Sequence, residues 1–338
     1  MILNKSWYQS KATWTLLLWP LELLFRLIAC INKSKQSKGQ WQAPCPLIIV
    51  GNISVGGTGK SPLTIALIEY YSAQGFKVGV VSRGYGAKRE VFPYQVRAND
   101  SPSQAADEPL MIVQRTGVNL VIDPNRVRAC QYLLANNECD LIISDDGLQH
   151  YKMARDIEIA VVDASRGLGN GHCLPVGPLR EPASRLNSVD FVIKNGEGHF
   201  KAPHSMHLAV TGWYRVKDNQ FFSLQQFNAQ VLKPSAGVHA IAGIGNPARF
   251  FSSLEAMSID AKPHVFADHY QYSADDFCFA EDDIICMTEK DAVKCKAFAP
   301  DNSYYLKVSA ELDQRFIDSL SAKINTVIDQ KNVLKKAL

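Results

Sequence analysis

Short apolar runs alternate with amphipathic stretches through most of this chain. Residues 47–50, 77–82, 119–123, 140–144, 157–163 and 190–194 read as buried strands. Residues 63–71, 104–115 and 125–137 read as helices between them, the last opening after Pro124. A parallel strand pair needs a long crossover, so this alternation predicts a doubly wound parallel α/β sheet. From about 199 to 236 the rhythm breaks into extended, polar-flanked segments at 207–210, 212–216 and 220–224. It resumes with strand 238–242, helix 248–257, strand 264–267, helix 274–280 and strands 284–288 and 304–308, which predicts a second, smaller α/β unit.

The first forty residues follow neither pattern. Residues 13–31 read TWTLLLWPLELLFRLIACI, close to membrane-spanning length but interrupted by Pro20, Glu22 and Arg26. Trp7, Tyr8, Trp14 and Trp19 suit a membrane interface, and Lys33, Lys35 and Lys38 make a positive flank of the kind found on the cytoplasmic side. No small-residue cleavage site follows, so a removed signal peptide is not expected. Three readings stand: a spanning anchor, a helix lying in the interface, or an apolar helix packed on a soluble core. The embedded charges favour the interfacial helix.

The chemistry is concentrated after the first strand. Gly51-Asn-Ile-Ser-Val-Gly-Gly-Thr-Gly-Lys-Ser61 joins an apolar run to a helix, the context a phosphate-binding loop requires. Ser54, Val55, Gly56, Gly57, Thr58 and Gly59 would turn backbone N–H groups around phosphates, with the helix dipole behind them. Lys60 supplies a full charge and Ser61 a hydroxyl for Mg²⁺. Pro62 falls early in the helix, where its missing N–H costs nothing. The usual pattern has glycine where Ser54 stands. Nucleoside triphosphate binding is the expectation.

Such a loop needs an acid for the metal at the end of a nearby strand. Asp145 and Asp146, with Gln149 close by, offer more oxygen than Asp163, although Asp-Asp-Gly is also a common turn. Asp107-Glu108-Pro109 opens a helix, where carboxylates complement the dipole; taken alone the motif favours that reading over a general base. Asp268-His269 and the charges of 287–291 follow strands of the second unit, and the latter could be a solvated turn. Gly243-Ile-Gly245 lacks the third glycine of a dinucleotide turn.

Composition narrows the picture little. A net charge of +3 gives no reason to expect nucleic acid. Eight scattered cysteines, with no Cys-x-x-Cys, read as free thiols of a reducing compartment. The expected division is 1–32 as a membrane-associating helix, 33–230 as the phosphate-loop domain and 231–338 as the smaller α/β domain.

The set GNISVGGTGKSP, SRGYG at 82–86, Asp107-Glu108-Pro109, DDGLQH at 145–150, GNGHCLPVGPLREP at 169–182, AGIGNP at 242–247, Asp268-His269-Tyr270 and MTEKDAVK at 287–294 resembles the tetraacyldisaccharide 4′-kinase family of lipid A biosynthesis. The likeness runs from the apolar helix to about residue 308. It implies transfer of phosphate from ATP, with Mg²⁺, to the 4′-hydroxyl of an acylated glucosamine disaccharide 1-phosphate. It implies a peripheral enzyme on the cytoplasmic face of the inner membrane, with no nucleic-acid partner and no obligate protein partner. By the same resemblance Lys60 and Ser61 are the phosphate-loop pair. Asp145, Asp146 and Gln149 position metal and nucleotide. Asp107 is the base, His269 pairs with it when the domains close, and Arg126 lies near the transferred phosphate. Glu108 flanks the base. Arg83, Arg166, Arg180 and Arg185 follow strand ends, where the substrate's own phosphate invites cations. The rival is a non-catalytic membrane ATPase switch, but its signature lysine would fall at Val55.

Overall fold

The fold was analysed in a computed structural model that describes residues 6–8, 13–233 and 236–337. Positions 1–5 and 9–12 of the expected membrane segment lie outside the described residues. The first strand, β1 (Leu47–Gly51), is buried at every position, which explains an unbroken apolar run in place of an alternation. Its side chains divide between two faces. Ile48 and Val50 pack with Leu63 and Leu67 of helix Lys60–Ala73, whereas Leu47 and Ile49 pack with Ala129 and Leu133 of helix Arg126–Asn136. Each such fully buried aliphatic side chain contributes roughly 1.5–3 kcal/mol.

The remaining strands are β2 (Val78–Ser82), β3 (Tyr94–Gln95), β4 (Asn119–Ile122), β5 (Leu141–Asp145), β6 (Ile157–Asp163), β7 (Phe191–Asn195), β8 (His204–Arg215), β9 (Phe221–Phe222), β10 (Val238–Ala242), β11 (Lys262–Val265), β12 (Ile284–Thr288) and β13 (Ser303–Leu312). They form one sheet in the order β11-β10-β12-β13-β8-β7-β6-β1-β5-β2-β4-β3, with β9 paired to β8. Within each half the pairing is parallel, except for β3 on β4 and β9 on β8, which are antiparallel. The halves join through the antiparallel pairing of β8 with β13, from Arg215↔Tyr304 to Met206↔Leu312. The second half alternates as the first does: Ala240, Ala242 and Cys286 face one cluster, Ile241, Ile285 and Met287 the other.

Several elements differ from the sequence reading. The helix expected over 104–115 is broken at Ala106, which has φ 65°, into Pro102–Ala105 and Asp107–Thr116. The segments at 207–210 and 212–216 are one bulged strand. The strand expected at 264–267 starts two residues earlier, and 274–280 holds only a short 3₁₀ turn, Ala274–Phe277. The unassigned C-terminus forms helix Gln314–Ala337. Phe316, Ile317, Leu320 and Ile324 return it to the core beside β1, and Lys331 Nζ donates to Ala43 O at 2.8 Å.

Helix Trp19–Gln36 lies outside this core. Leu17, Leu21, Leu24, Leu27, Ile28 and Ile31 are exposed, and only 11% of its most apolar window is buried. The helix is therefore not buried in the core, although Phe25 packs against the apolar cluster of Leu47 and Ile49. Glu22 is the exception among its side chains: it is buried, accepting from Cys173 N–H at 3.0 Å and lying 2.9 Å from His172 Nδ1. At the other end, Gln36 Oε1 accepts from Tyr151 N–H at 3.2 Å and Lys33 stands over the Tyr151 ring. The helix is thus tied to one face of the protein near both ends, its apolar side turned away.

Candidate active site

The carboxyl ends of β1 and β5 lie side by side, with Val50 paired to Asp145. That register sets the glycine-rich turn against a carboxylate. The loop enters its helix through Gly59, left-handed at φ 101°. A Cβ there would stand 2.2 Å from Asn195 Nδ2, so both conformation and space require glycine. Ser54 tolerates a side chain because it sits in an antiparallel bridge to Leu179.

Lys60 Nζ lies 3.3 Å from Asn52 Oδ1 and 3.5 Å from Asp146 Oδ1. Asp145 is buried and accepts from Thr64 Oγ1 at 3.3 Å. Burial, reinforced by Glu108 and Asp146, pushes its carboxyl up to about 7 against the pull of Lys60 and Arg126. Asp146 behaves oppositely. Burial raises it too, but Lys60 and Arg180 outweigh burial and hold it below the usual carboxylate range. Arg180 Nη1 reaches both of its oxygens at 3.3 Å.

The donor set fits Mg²⁺. Ser61, Asp145 and Asp146 supply hard oxygens, and Thr58 Oγ1 in the loop and Asn195 Oδ1 at the end of β7 are buried without a hydrogen-bond partner. Among the described residues no three His, Cys, Asp or Glu side chains form a ready-made cage. Mg²⁺ at a phosphate loop needs none, because phosphate oxygens and water complete its shell.

The second half of the chain closes on the loop from above. A Cβ on Gly245 would meet Gly57 N at 2.5 Å. Arg166 donates to Gly57 O and, at 3.3 Å, to Gly245 O. Asp163, at the end of β6, accepts from Asn246 Nδ2 at 3.2 Å and Arg249 Nη2 at 3.1 Å. The Gly243–Gly245 turn, which carries no dinucleotide signature, is thus a packing surface for the phosphate loop.

The break at Ala106 puts Asp107 and Glu108 in a fresh first turn facing the second half. Asp107 Oδ2 lies 3.3 Å from His269 Nδ1. Lys290 Nζ donates to Glu108 Oε1 at 3.0 Å and to Asp268 Oδ1 at 3.3 Å. The charges of 287–291 are therefore no solvated turn: the Lys290 side chain is 13% exposed and Asp291 fully buried. Three of the five described non-glycine residues at positive φ, Ala106, Asp146 and His269, border this region. Strained backbone of this kind persists where packing over-determines it.

These groups surround one cleft of about 1610 Å³, whose walls include Lys60, Arg83, Glu108, Gln149, Arg180 and His269. Ser61, Asp145 and Asp146 line it as well. Asp107 and Arg126 do not. Asp107 is buried with His269 on its cleft side. Arg126 is buried with Nη1 donating to Asp123 O at 3.0 Å. Burial pulls its guanidinium down to about 10, although Asp145 and Asp146 hold it up. Gln149 touches neither acid; its amide donates to Asn52 O at 3.1 Å and Glu181 Oε1 at 2.7 Å. Arg185 is buried in an internal pairing with Glu158 and Glu181. The sequence reading missed Asn52, Asn195 and Arg249, set Asp163 second to Asp145 and Asp146 as the metal acid, and left Lys290 in a turn that could be solvated. They come from separate strands and loops, and only the sheet order brings them together.

A phosphate loop at a strand end, an acid on the adjacent strand and a cation-lined cleft define an α/β phosphotransferase of the phosphate-loop class. The tetraacyldisaccharide-1-P 4′-kinase family matches residues 14–325, and the chain belongs to that family. The tetraacyldisaccharide 4′-kinase of Ectopseudomonas mendocina is 48% identical over 330 residues, covering 96% of this chain and 97% of the relative. That of Azotobacter vinelandii is 48% identical over 327 residues, covering 95% and 96%. The solved "apo" form of LpxK from Aquifex aeolicus, in complex with ATP, is 25% identical and superposes with a TM-score of 0.76, covering 93% of this chain and 99% of that one.

One acid-dependent property follows from His150, which comes directly after the cleft-lining Gln149. Burial, with Arg126 and Arg155 nearby, lowers the His150 imidazole from 6.5 to about 4. The unfolded chain therefore binds a proton that the folded chain refuses. Stability contributed by the neutral ring is full above about pH 6.5 and is lost as pH falls toward about 4. In urea unfolding, His150→Gln is expected to flatten that acid loss. Identical losses in the two proteins would remove His150 as its source.

Proposed function

We propose that this chain transfers the γ-phosphoryl group of ATP to the 4′-hydroxyl of a tetraacylated glucosamine disaccharide 1-phosphate. The observation that carries the reading is a single cleft, in a chain of this family, bordered by the phosphate loop on one side and the Asp107–His269 contact on the other. The backbone of residues 54–61 cradles the phosphates, and Lys60 stabilises the group in flight. Ser61, Asp145 and Asp146 would hold Mg²⁺, which when bound would supply positive charge against the phosphates. Arg126, buried behind the acids, acts through its field on them. Arg83 and Gln149, on the cleft wall, contact the acceptor.

Asp107 serves as the base. The imidazole of His269 faces the cleft and the carboxylate faces the imidazole, so the two take the hydroxyl proton as one unit. Glu108 keeps its neighbour in place. The units 33–230 and 231–338 act as two jaws. Their separate side-chain clusters support this, while the C-terminal helix belongs by packing to the first.

Helix Trp19–Gln36 lies on the cytoplasmic face of the inner membrane, meeting a glycolipid whose acyl chains stay in the bilayer. A carboxylate at mid-bilayer costs about 2.5–3.5 kcal/mol, and here Glu22 is turned to the protein with a backbone N–H to accept from. That orientation supports a helix lying in the surface over one that spans. The reading needs no nucleic acid and no second protein.

Lys60→Ala is expected to lower kcat on the order of a hundredfold or more, since a charge on the transferring group is worth ~2–4 kcal/mol of barrier. A folded variant with near-parental kcat contradicts the role. Asp107→Ala with full activity would reduce that residue to a helix-start carboxylate. Removing residues 1–32 should release the protein from vesicles and raise KM for the long-chain acceptor more than for a detergent-dispersed short-chain one. A truncated protein that still pellets with vesicles counts against the surface helix.

A further inference from the structure

Helix Glu289–Cys295 follows β12 without a loop and is capped by the Thr288 side chain. Its first three residues are held in three directions. Glu289 pairs with Arg115 of helix Asp107–Thr116 at 3.2 Å. Lys290 bridges Glu108 and Asp268. Asp291 accepts from Gly243 N–H at 3.1 Å and from Tyr272 Oη at 3.1 Å, and pairs with Lys294 at 2.7 Å. One short helix thus touches the first unit, the His269 loop and the turn that seats on Gly57.

Lys290 stands at the point that matters for the reaction. Its two partners are the sequence neighbours of the dyad: Glu108 follows Asp107, and Asp268 precedes His269. Its ammonium is nearly enclosed, at 13% side-chain exposure. Burial pulls its pKa down, yet Glu108 and Asp268 hold it above the ordinary lysine value. In return, Lys290 first and Lys60 second hold Glu108 low despite burial. Without this cation, Glu108 and Asp268 would lose their shared partner at the joint between the two units, next to the buried Asp107.

We infer that Lys290 is a positioning residue that registers the two halves of the site, holding the backbones on either side of the Asp107–His269 contact at working distance. The inference rests on the reading of Asp107 and His269 as the proton-accepting pair. Lys290 lines the cleft, but both hydrogen bonds of its ammonium go to these two carboxylates. It acts through the carboxylates it joins, and the effect should appear in the chemical step rather than in nucleotide binding.

Lys290→Met keeps the apolar stem and removes the ammonium. It is expected to lower kcat by roughly tenfold to a hundredfold, the scale of a small misplacement of reacting groups, while KM for ATP stays within about twofold. Lys290→Arg should recover most of kcat. Combined with Glu108→Gln, the methionine change should add less than about twofold, because the two residues share one interaction. Parental kcat in Lys290→Met, no recovery with arginine, or losses that multiply in full would overturn the inference. If the methionine variant melts before assay, Asp268→Asn and Glu108→Gln take its place: lowered kcat with steady KM for ATP supports the bridge, and parental kcat in both overturns it. Asp107→Asn run alongside separates the two levels. If it is inactive while Lys290→Met is fully active, only the bridge fails; if it is fully active, the underlying reading fails.

Discussion

Pairing Val50 with Asp145 places a buried carboxylate against the loop that is to receive a triphosphate, and the rest of the site answers that placement. A buried acid near an incoming polyanion is unfavourable unless cations stand close. At about 4 Å and an effective dielectric near 20, one ion pair is worth about 4 kcal/mol. The cleft accordingly alternates sign: Lys60 and Arg180 at Asp146, Arg126 behind the acids, Lys290 between Glu108 and Asp268. Asp145 has no ion pair within reach among the described residues, and burial first, then Glu108 and Asp146, raises its proton affinity. A metal ion is the charge its position calls for.

The sheet carries this arrangement across the molecule. The β8–β13 pairing makes the second half an extension of the first, so the loops after β10, β11 and β12 lean over the phosphate loop. At the cleft the contacts between the halves are polar: Arg166 to Gly57 and Gly245, Asp163 to Asn246 and Arg249, Asp107 to His269. Away from it, Val293, Ala310, Leu312 and the C-terminal helix pack on the apolar core of the first half. The apolar helix Trp19–Gln36 lines the mouth of the same cleft with Phe25, Leu27 and Ile28.

Much of this was legible in the chain. Buried parallel strands write themselves as apolar runs, and the phosphate loop is local in sequence, so β1, its helix and Lys60 could be read directly. The break at Ala106 could not, because alanine at φ 65° has no propensity signature; tertiary contacts impose it. The C-terminal helix was missed because its apolar stripe is sparse and finds its partners beside β1, far back in sequence. Lys290 looked like part of a solvated turn because its partners lie 182 and 22 residues away. The pairing of Asp107 with His269 came from family resemblance alone, since nothing in 162 intervening positions brings them together.

The account turns on Asp107 and His269 working as one unit across the cleft. Phosphoryl transfer from ATP to a tetraacylated disaccharide 1-phosphate acceptor, measured in Asp107→Ala, His269→Ala and the double variant, tests it most directly. Each single change should lower kcat with little effect on KM for ATP, and the double should be scarcely worse than the worse single. Losses that multiply in full would mean the two residues act independently and would contradict the account.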